Sequence, residues 1–389
     1  MAATAARTGA NPSNPYTPDW GVGPPVLVGR DEHLDRAERA LRGGPRDFWF
    51  THAYYGERGV GKTVLLDAIG ERAARLGWPV VHTAVRAGRF LAPLVFLGLP
   101  EAMARLRRRS RLNRGDLTIT AGVDLGVIKA EASQRRRRDR DLPIDAELEL
   151  GLRKVGEVAA DKGRGALVTV DEIHAAKPRE LIVFSQTMQL VTKRRGLPVA
   201  LIVAGLPDVA SLLTGSELTF LERMPKIELG FLGPDATRLA LTKPAADLGV
   251  RFTDGALDLL AETSAGYPYF VQLLGYHAWE ARRTRIVDHE AATAAVKEAT
   301  RMASDQVFAP RWRRLAPKER EFLRAMADVL AVDGEVPIAD VRERLGAETY
   351  EEISYLRVRL LQKGVVRPAG RGLLRFTFPG MADWVRTVQ

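Results

Sequence analysis

Gly56, Gly61, Lys62 and Thr63 fill every fixed position of the pattern G-x-x-x-x-G-K-[ST], in the run Gly56-Glu57-Arg58-Gly59-Val60-Gly61-Lys62-Thr63-Val64. The chemistry of that spacing is phosphate binding. Glycines let the backbone turn tightly, so that successive N–H groups and the N-terminus of a following helix surround an anion. A lysine at the sixth position after the first glycine adds a point charge on the β and γ oxygens. The next hydroxyl, on Thr63, is a hard ligand for Mg²⁺. The whole run Gly56, Glu57, Arg58, Gly59, Val60, Gly61, Lys62, Thr63 and Val64 is therefore the candidate cradle for a nucleoside triphosphate, with ATP and Mg²⁺ as the expected cofactors.

A second group lies about a hundred residues on, in Leu167-Val168-Thr169-Val170-Asp171-Glu172. An apolar run ending in two acids delivers both carboxylates to the C-terminal edge of a sheet, the edge at which a phosphate loop also lies. Asp171 is then expected to hold Mg²⁺ through a water, and Glu172 to orient and polarise the attacking water. Alone, a strand ending in Asp-Glu is a weak signal, because acids commonly cap strands and open helices.

The elements that must position these residues follow from periodicity. From Asp47 the chain reads strand (FWFTHAYY), Gly-rich turn, helix (63–76) and strand (PVVHTAV). After an interruption come a helix (146–161), the strand ALVTVDE, a helix (178–194), the strand PVALIVAG, a helix near 209–214 and a short strand PKIELG. Alternating strands and helices with short connections predict a parallel sheet covered on both faces, an α/β P-loop domain over residues 26–233. From Pro234 strand signals stop, and helices at 235–248, 253–263, 268–283 and 289–308 predict a small helical lid domain over 234–309. Beyond Pro310, helices at 317–332, 338–345 and 349–363 precede two short strands, VVRPA and LLRFTF, joined by GRG. That order predicts a C-terminal winged helix over 310–389. Residues 1–25, rich in Pro, Gly, Asn, Thr and Ser, read as a flexible tail.

Composition narrows the chemistry. With no cysteine among 389 residues there is no disulfide, Cys-ligated zinc, iron–sulfur cluster or thiol nucleophile, and the six histidines show no paired metal-ligand spacing. No window approaches the about 18 consecutive apolar residues of a membrane span. The N-terminus lacks the basic and apolar regions of a signal peptide, so the expected location is cytoplasmic. The formal net charge is +10, and residues 83–140 carry 14 Arg+Lys against 5 Asp+Glu, or +9 of it. Two arginine runs, RLRRRSRLNR (105–114) and RRRRDR (135–140), flank LTITAGVDLGVIKAEAS, which reads as a short strand pair. Like-charge runs seldom lie in packed elements, so 83–140 is expected to be an insertion with mobile arginine-rich flanks.

GERGVGKT, LVTVDEIH, the upstream VGRDEHLDRAERAL (28–41) and the later GYPYFVQLLGYHAWE together resemble the Orc1/Cdc6-like and archaeal-ATPase branch of the AAA+ and STAND P-loop ATPases. The resemblance implies ATP hydrolysis, with Lys62, Glu172 and Arg223 as catalytic residues. It also implies an adenine-side role for Val28, Gly29 and Arg30, for which the alternative is a simple turn into an amphipathic helix. Arg223, before the last strand, matches the position of an arginine finger that reaches a neighbour's nucleotide, or is a surface arginine near a helix end. Gly266-Tyr267-Pro268 matches a G-x-P turn whose Pro268 backbone faces the nucleotide, while Tyr269, Phe270 and Leu273 read as helix core. Gly205-Leu206-Pro207 departs from the pattern, since no polar side chain stands where relatives place a sensor of the γ-phosphate; slow turnover follows. His174 either meets the γ-phosphate side or plays a supporting structural part.

Two outputs remain open. In one, an ATP-dependent homo-oligomer associates with duplex DNA through the winged helix and the arginine-rich insertion, and acts as a switch or assembly factor. In the other, a STAND-type signalling ATPase keeps its winged helix as an autoinhibitory or protein-binding module. The third helix of the winged helix opens Thr349-Tyr350-Glu351-Glu352, which repels DNA. Arg357, Arg359, Lys363, Arg367, Arg371 and Arg375 follow it and could contact phosphates without reading bases. Residues 305–389 hold 15 Lys+Arg against 12 Asp+Glu, only +3. For the insertion, nucleic acid and an acidic protein partner are both open.

Overall fold

A computed structural model describes residues 13–19, 23–112, 143–331 and 334–388. The chain divides into two compact units, one formed by residues 30–56 and 62–229 and the other by residues 1–29, 57–61 and 230–389.

The first unit is built on a five-stranded, wholly parallel sheet of β1 (Thr51–Tyr55), β2 (Val80–Ala84), β3 (Ala166–Asp171), β4 (Val199–Gly205) and β5 (Lys226–Glu228), in the order β2-β3-β4-β1-β5. Every residue of β3 and β4 is buried, as the uninterrupted apolar runs require of strands covered on both faces. Around the sheet lie α1 (Asp31–Gly43), α2 (Lys62–Arg75), α3 (Leu99–Leu112), α4 (Ile144–Ala160) and α5 (Pro178–Met188). This is the P-loop sheet architecture expected from the sequence. β1 starts later than the reading FWFTHAYY implied. Asp47 accepts a hydrogen bond from the Trp49 N–H at 2.8 Å, and Phe48–Phe50 form one 3₁₀ turn before the strand begins.

The arginine-rich stretch needs correction over its first half. Leu91–Pro93, a π-helical turn over Leu94–Gly98 and α3 form consecutive helical segments instead of a mobile flank. Leu99, Ala102 and Leu106 share one face, and all three are buried in the core of this unit, with Leu148 and Leu152 of α4 in the same core. Apolar residues at helical spacing therefore outweigh the charges at Arg105 and Arg107, which sit on the exposed side of the same helix. The expected strand pair and the second arginine run, 135–140, lie outside the described residues.

The second unit is mainly helical: α6 (Pro234–Ala246), α7 (Asp254–Ser264), α8 (Pro268–Ala281), α9 (His289–Ala303), α10 (Pro317–Asp328), α11 (Ile338–Leu345), α12 (Tyr350–Gln362) and α13 (Met381–Thr387). Their starts follow local chemistry. Thr253 and Asp288 cap α7 and α9 by accepting from the N–H groups of Ala256 and Ala291, and Pro occupies the first turn of α6, α8 and α10. Three features are not legible in the sequence. Arg251–Phe252 and Ile286–Val287 form a small parallel pair, Val336–Pro337 adds a third strand beside Val366–Gly370 and Leu373–Phe376, and α13 follows them. Two-residue strands are too short to show alternation in sequence.

Residues 13–19 are not a loose tail. Tyr16 is buried in the core of this unit, edge-on to Trp279, and its hydroxyl donates to the Leu241 carbonyl. Helices on both sides of Pro310 contribute to that same core, from Leu241 and Phe270 to Phe308, Phe322 and Val385. Among the described residues, no helix is long and apolar enough to cross a membrane.

Candidate nucleotide site

Lys62 and Thr63 open α2, directly after the turn that follows β1, so their side chains are fixed by the strand–turn–helix geometry that the motif demands. Lys62 is 6% exposed and its Nζ donates to the Gly56 carbonyl at 2.8 Å. Gly56 is itself tied to the sheet, donating its N–H to the Gly205 carbonyl at the end of β4, 3.2 Å away. Val60 is buried and Val64 partly so. Gly59 and Gly61 adopt φ of +80° and +92°, a left-handed region that side chains rarely enter, and this turns the backbone N–H groups of the loop.

The Thr63 hydroxyl donates to Asp171 Oδ2 at 2.6 Å, and Asp171 is buried at the end of β3. A hydroxyl and a carboxylate brought together at the head of α2 are the hard oxygen donors that suit Mg²⁺, whose other positions phosphate and water normally supply. The residues present therefore fit the ion that the sequence implied. No cluster of three or more His, Asp or Glu side chains suited to a metal occurs among the described residues.

Glu172 follows in a left-handed conformation, φ 55° and ψ 34°. A non-glycine residue there costs of order 1–3 kcal/mol, and such strain gathers at functional positions. The turn is held by the Glu172 N–H, which donates to Asp171 Oδ1 at 2.8 Å. The Glu172 carboxylate is 41% exposed, with Oε2 3.4 Å from His174 Nε2. His174 Nδ1 in turn accepts from the Leu206 N–H at 3.3 Å. The link from His174 to the loop after β4 is invisible in sequence, because 32 positions separate its ends.

The remaining expected site residues are distributed between the two units. Arg30 lies at the N-terminus of α1 in the sheet unit, buried, and burial draws its guanidinium down to about 10. Val28 and Gly29 belong to the helical unit; a Cβ on Gly29 would stand 2.8 Å from the Ala236 Cβ, so that close approach requires glycine. Pro268 is the first residue of α8, with Phe270 and Leu273 buried behind it as expected and Tyr269 partly buried. Glu57 and Arg58 also belong to this unit. Arg223 is exposed at the end of a short helix, Thr219–Glu222.

The Walker-type ATPase of Pyrococcus abyssi matches the chain with a TM-score of 0.64 at 16% identity, covering 92% of this chain and 96% of that one. The chain shares the fold of that Walker-type ATPase. Cdc6p of Pyrobaculum aerophilum (TM-score 0.43, 15% identity, 94% of each chain) is also similar. So is the Orc1 protein of Aeropyrum pernix, solved in complex with DNA (TM-score 0.42, 18% identity, 93% of this chain and 92% of that one). Residues 305–385 match the model of a domain of unknown function, DUF8462. No curated protein sequence matches the chain. The buried Lys62, the Thr63–Asp171 contact and the strained Glu172 lie at the C-terminal ends of the parallel strands, the edge at which open α/β sheets bind ligands.

The cations expected to meet a nucleic-acid backbone from the C-terminal region are largely engaged within the chain. Arg359 Nε and Lys363 Nζ both reach the fully buried carboxylate of Glu319, Arg359 at 2.8 Å. Arg375 pairs with Glu335 at 2.8 Å, and the Arg367 guanidinium lies 4.7 Å from the ring centre of Phe231. Glu352 acts locally. One of its oxygens accepts from the N–H and the hydroxyl of Thr349, each at 3.2 Å, and closes a capping box at the start of α12.

Proposed function

We propose that the chain binds ATP with Mg²⁺ and hydrolyses it slowly, as a nucleotide-dependent switch or assembly factor. The observation that carries this reading is the Thr63–Asp171 contact of 2.6 Å beside a buried Lys62, in the loop Gly56–Val64. Lys62 exchanges its bond to the Gly56 carbonyl for phosphate oxygens, and the loop N–H groups take the rest of the anion. Thr63 and Asp171 hold Mg²⁺, which neutralises charge on the phosphates when bound. Glu172 accepts the proton of the attacking water. Val28, Gly29, Arg30 and Pro268 serve the base, and Arg223, exposed on its unit, serves a neighbouring protomer's nucleotide. The lack of a polar side chain at 205–207 supports slow turnover. Phosphate release by the wild-type chain, abolished in Glu172→Gln with ATP binding retained, is the expected result; turnover equal to wild type in that variant would overturn the hydrolytic reading.

Association with duplex DNA rests on the +9 of residues 83–140. The winged-helix reading of residues 310–389 also belongs to this proposal, but a different output is favoured for it. Because Arg359, Lys363, Arg367 and Arg375 have partners within the chain and α12 opens with acids, its surface suits a protein contact or an autoinhibitory seat better than a phosphate backbone. A titration of labelled duplex DNA at about 50 and 200 mM salt, with ATP and Mg²⁺, separates the two. Binding that collapses with salt and with removal of the arginine runs supports DNA association. Absence of binding at low salt leaves the signalling output.

A further inference from the structure

We infer that His174 is the positioning residue for Glu172, tying its carboxylate to the backbone at the end of β4 where a polar sensor side chain is missing. The inference rests on the reading of Glu172 as the group that polarises water. Its support is the local geometry of the sheet unit. The Leu206 N–H can only donate, so His174 Nδ1, 3.3 Å away, must be the acceptor. The ring proton of the neutral imidazole then resides on Nε2, which lies 3.4 Å from Glu172 Oε2. One ring thus reads the backbone of the loop after β4 with one nitrogen and presents an N–H towards the Glu172 carboxylate with the other.

Two further features make this arrangement specific. His174 sits in a single 3₁₀ turn, Ile173–Ala175, entered through the left-handed Glu172; that turn sets acid and imidazole side by side although they are two residues apart. Gly205 ends β4 where a Cβ would stand 2.3 Å from Val209 Cγ2, 3.1 Å from Ile173 Cγ2 and 3.3 Å from the His174 N. Only glycine lets the turn carrying His174 come this close to the strand. Gly205, in the segment that departs from the sensor pattern, is therefore the residue that admits the backbone turn carrying His174. His174 is assigned no contact with phosphate or water; it restrains the rotation of Glu172 and couples it to the loop at Leu206 and Pro207.

The test compares His174→Ala, His174→Asn and His174→Gln with Glu172→Gln in the full chain, measuring ATP turnover and, separately, binding of a slowly hydrolysed ATP analogue. Asn keeps an acceptor near the Nδ1 position but has no donor at Nε2, whereas Gln extends a donor towards Glu172. The expected result is a fall in kcat of about ten- to a hundredfold in His174→Ala and His174→Asn, analogue affinity within about twofold of wild type, and partial recovery in His174→Gln. In the Glu172→Gln background, His174→Ala should cause no further loss, since it acts through the missing carboxylate. Unchanged kcat in His174→Ala alongside inactive Glu172→Gln would overturn this inference alone. Parallel loss of analogue binding in His174→Ala would also overturn it, by assigning the residue to the fold. Full turnover in Glu172→Gln would remove the reading of Glu172 itself, and the inference with it.

Discussion

The Tyr267 hydroxyl donates to the Arg58 carbonyl at 2.9 Å, and beside that bond the missing side chain of Gly59 leaves room for the ring: a Cβ there would stand 2.3 Å from Tyr267 Oη and 2.8 Å from Cζ. Gly59 is thus demanded twice, by its positive φ and by the tyrosine lying against it. Burial holds the Tyr267 hydroxyl protonated far above the usual tyrosine range, so it remains a donor across the working pH range. The x of the G-x-P turn, which the sequence pattern leaves free, therefore packs against the glycine loop at Arg58 and Gly59.

Gly59→Ala should accordingly lose binding of an ATP analogue by more than about tenfold, because strain and clash both reshape the loop. Tyr267→Phe keeps the ring and loses one hydrogen bond, which costs about 1 kcal/mol of stability and leaves analogue affinity within a few-fold. Fluorescence titration and thermal unfolding measure both. Wild-type affinity in Gly59→Ala would show that the loop tolerates a side chain against Tyr267, and that neither strain nor clash shapes it.

Lys62→Ala should weaken analogue binding on the order of a hundredfold, equivalent to about 2.7 kcal/mol, since the buried ammonium is the one cation placed at the base of the loop by the motif. Thr63→Val preserves volume but removes the donor to Asp171 Oδ2. Its expected signature is different: Mg²⁺ no longer improves binding, while binding in the absence of Mg²⁺ is little changed. Titrations with and without Mg²⁺ distinguish the two variants, and an undiminished Mg²⁺ effect in Thr63→Val would take the threonine out of the metal site.

The parts of this fold that are legible in sequence share a physical cause. Strands β3 and β4 announce themselves because double burial demands unbroken apolar runs, and the loop 56–63 because phosphate cradling tolerates few residue types. What is not legible depends on partners distant in sequence. Tyr16 reads as one aromatic in a Pro- and Asn-rich tail until Leu241 and Trp279 are beside it. Arg359 and Lys363 read as available cations until Glu319, some forty residues earlier, is found between them. Arg105 and Arg107 mislead for another reason: their charge density masks the apolar stripe Leu99, Ala102, Leu106 that runs through the same residues.

Glu319 yields a pH-dependent prediction. Burial of its carboxylate favours the neutral form, but the hydrogen bond from Lys363, the Ala316 N–H at 2.7 Å and the charge of Arg359 outweigh it and hold the acid below its usual range. A lowered folded value means that the stabilisation is complete above the unfolded value of about 4.3 and is lost as pH falls through the folded value. Glu319→Gln should cost about 1–3 kcal/mol at neutral pH, given that Arg359 and Lys363 remain partly exposed. Urea unfolding followed from about pH 7 downwards should show the wild-type advantage shrinking below about pH 4.3. An advantage that does not change with pH would assign the effect to packing.

Tyr16 anchors the N-terminal segment to the helical unit, and the strength of that anchor is measurable. Its ring packs against Gly275, where a Cβ would stand 2.5 Å from Tyr16 Cδ1, and edge-on to Trp279 with centroids 6.5 Å apart. Removal of a buried aromatic leaves a cavity as well as losing its transfer free energy, so Tyr16→Ala should destabilise this unit by about 3–5 kcal/mol. Tyr16→Phe keeps the ring and forfeits the hydroxyl's bond to the Leu241 carbonyl, for about 1 kcal/mol. Gly275→Ala attacks the same contact from the opposite side: it should destabilise the wild-type chain, yet be tolerated in the Tyr16→Ala background, where the new methyl occupies the vacated space. Urea midpoints for wild type, Tyr16→Ala, Gly275→Ala and the double variant form a double-mutant cycle. Additive losses across that cycle would mean that Tyr16 and Gly275 do not act through one another, and that residues 13–19 are held by other contacts.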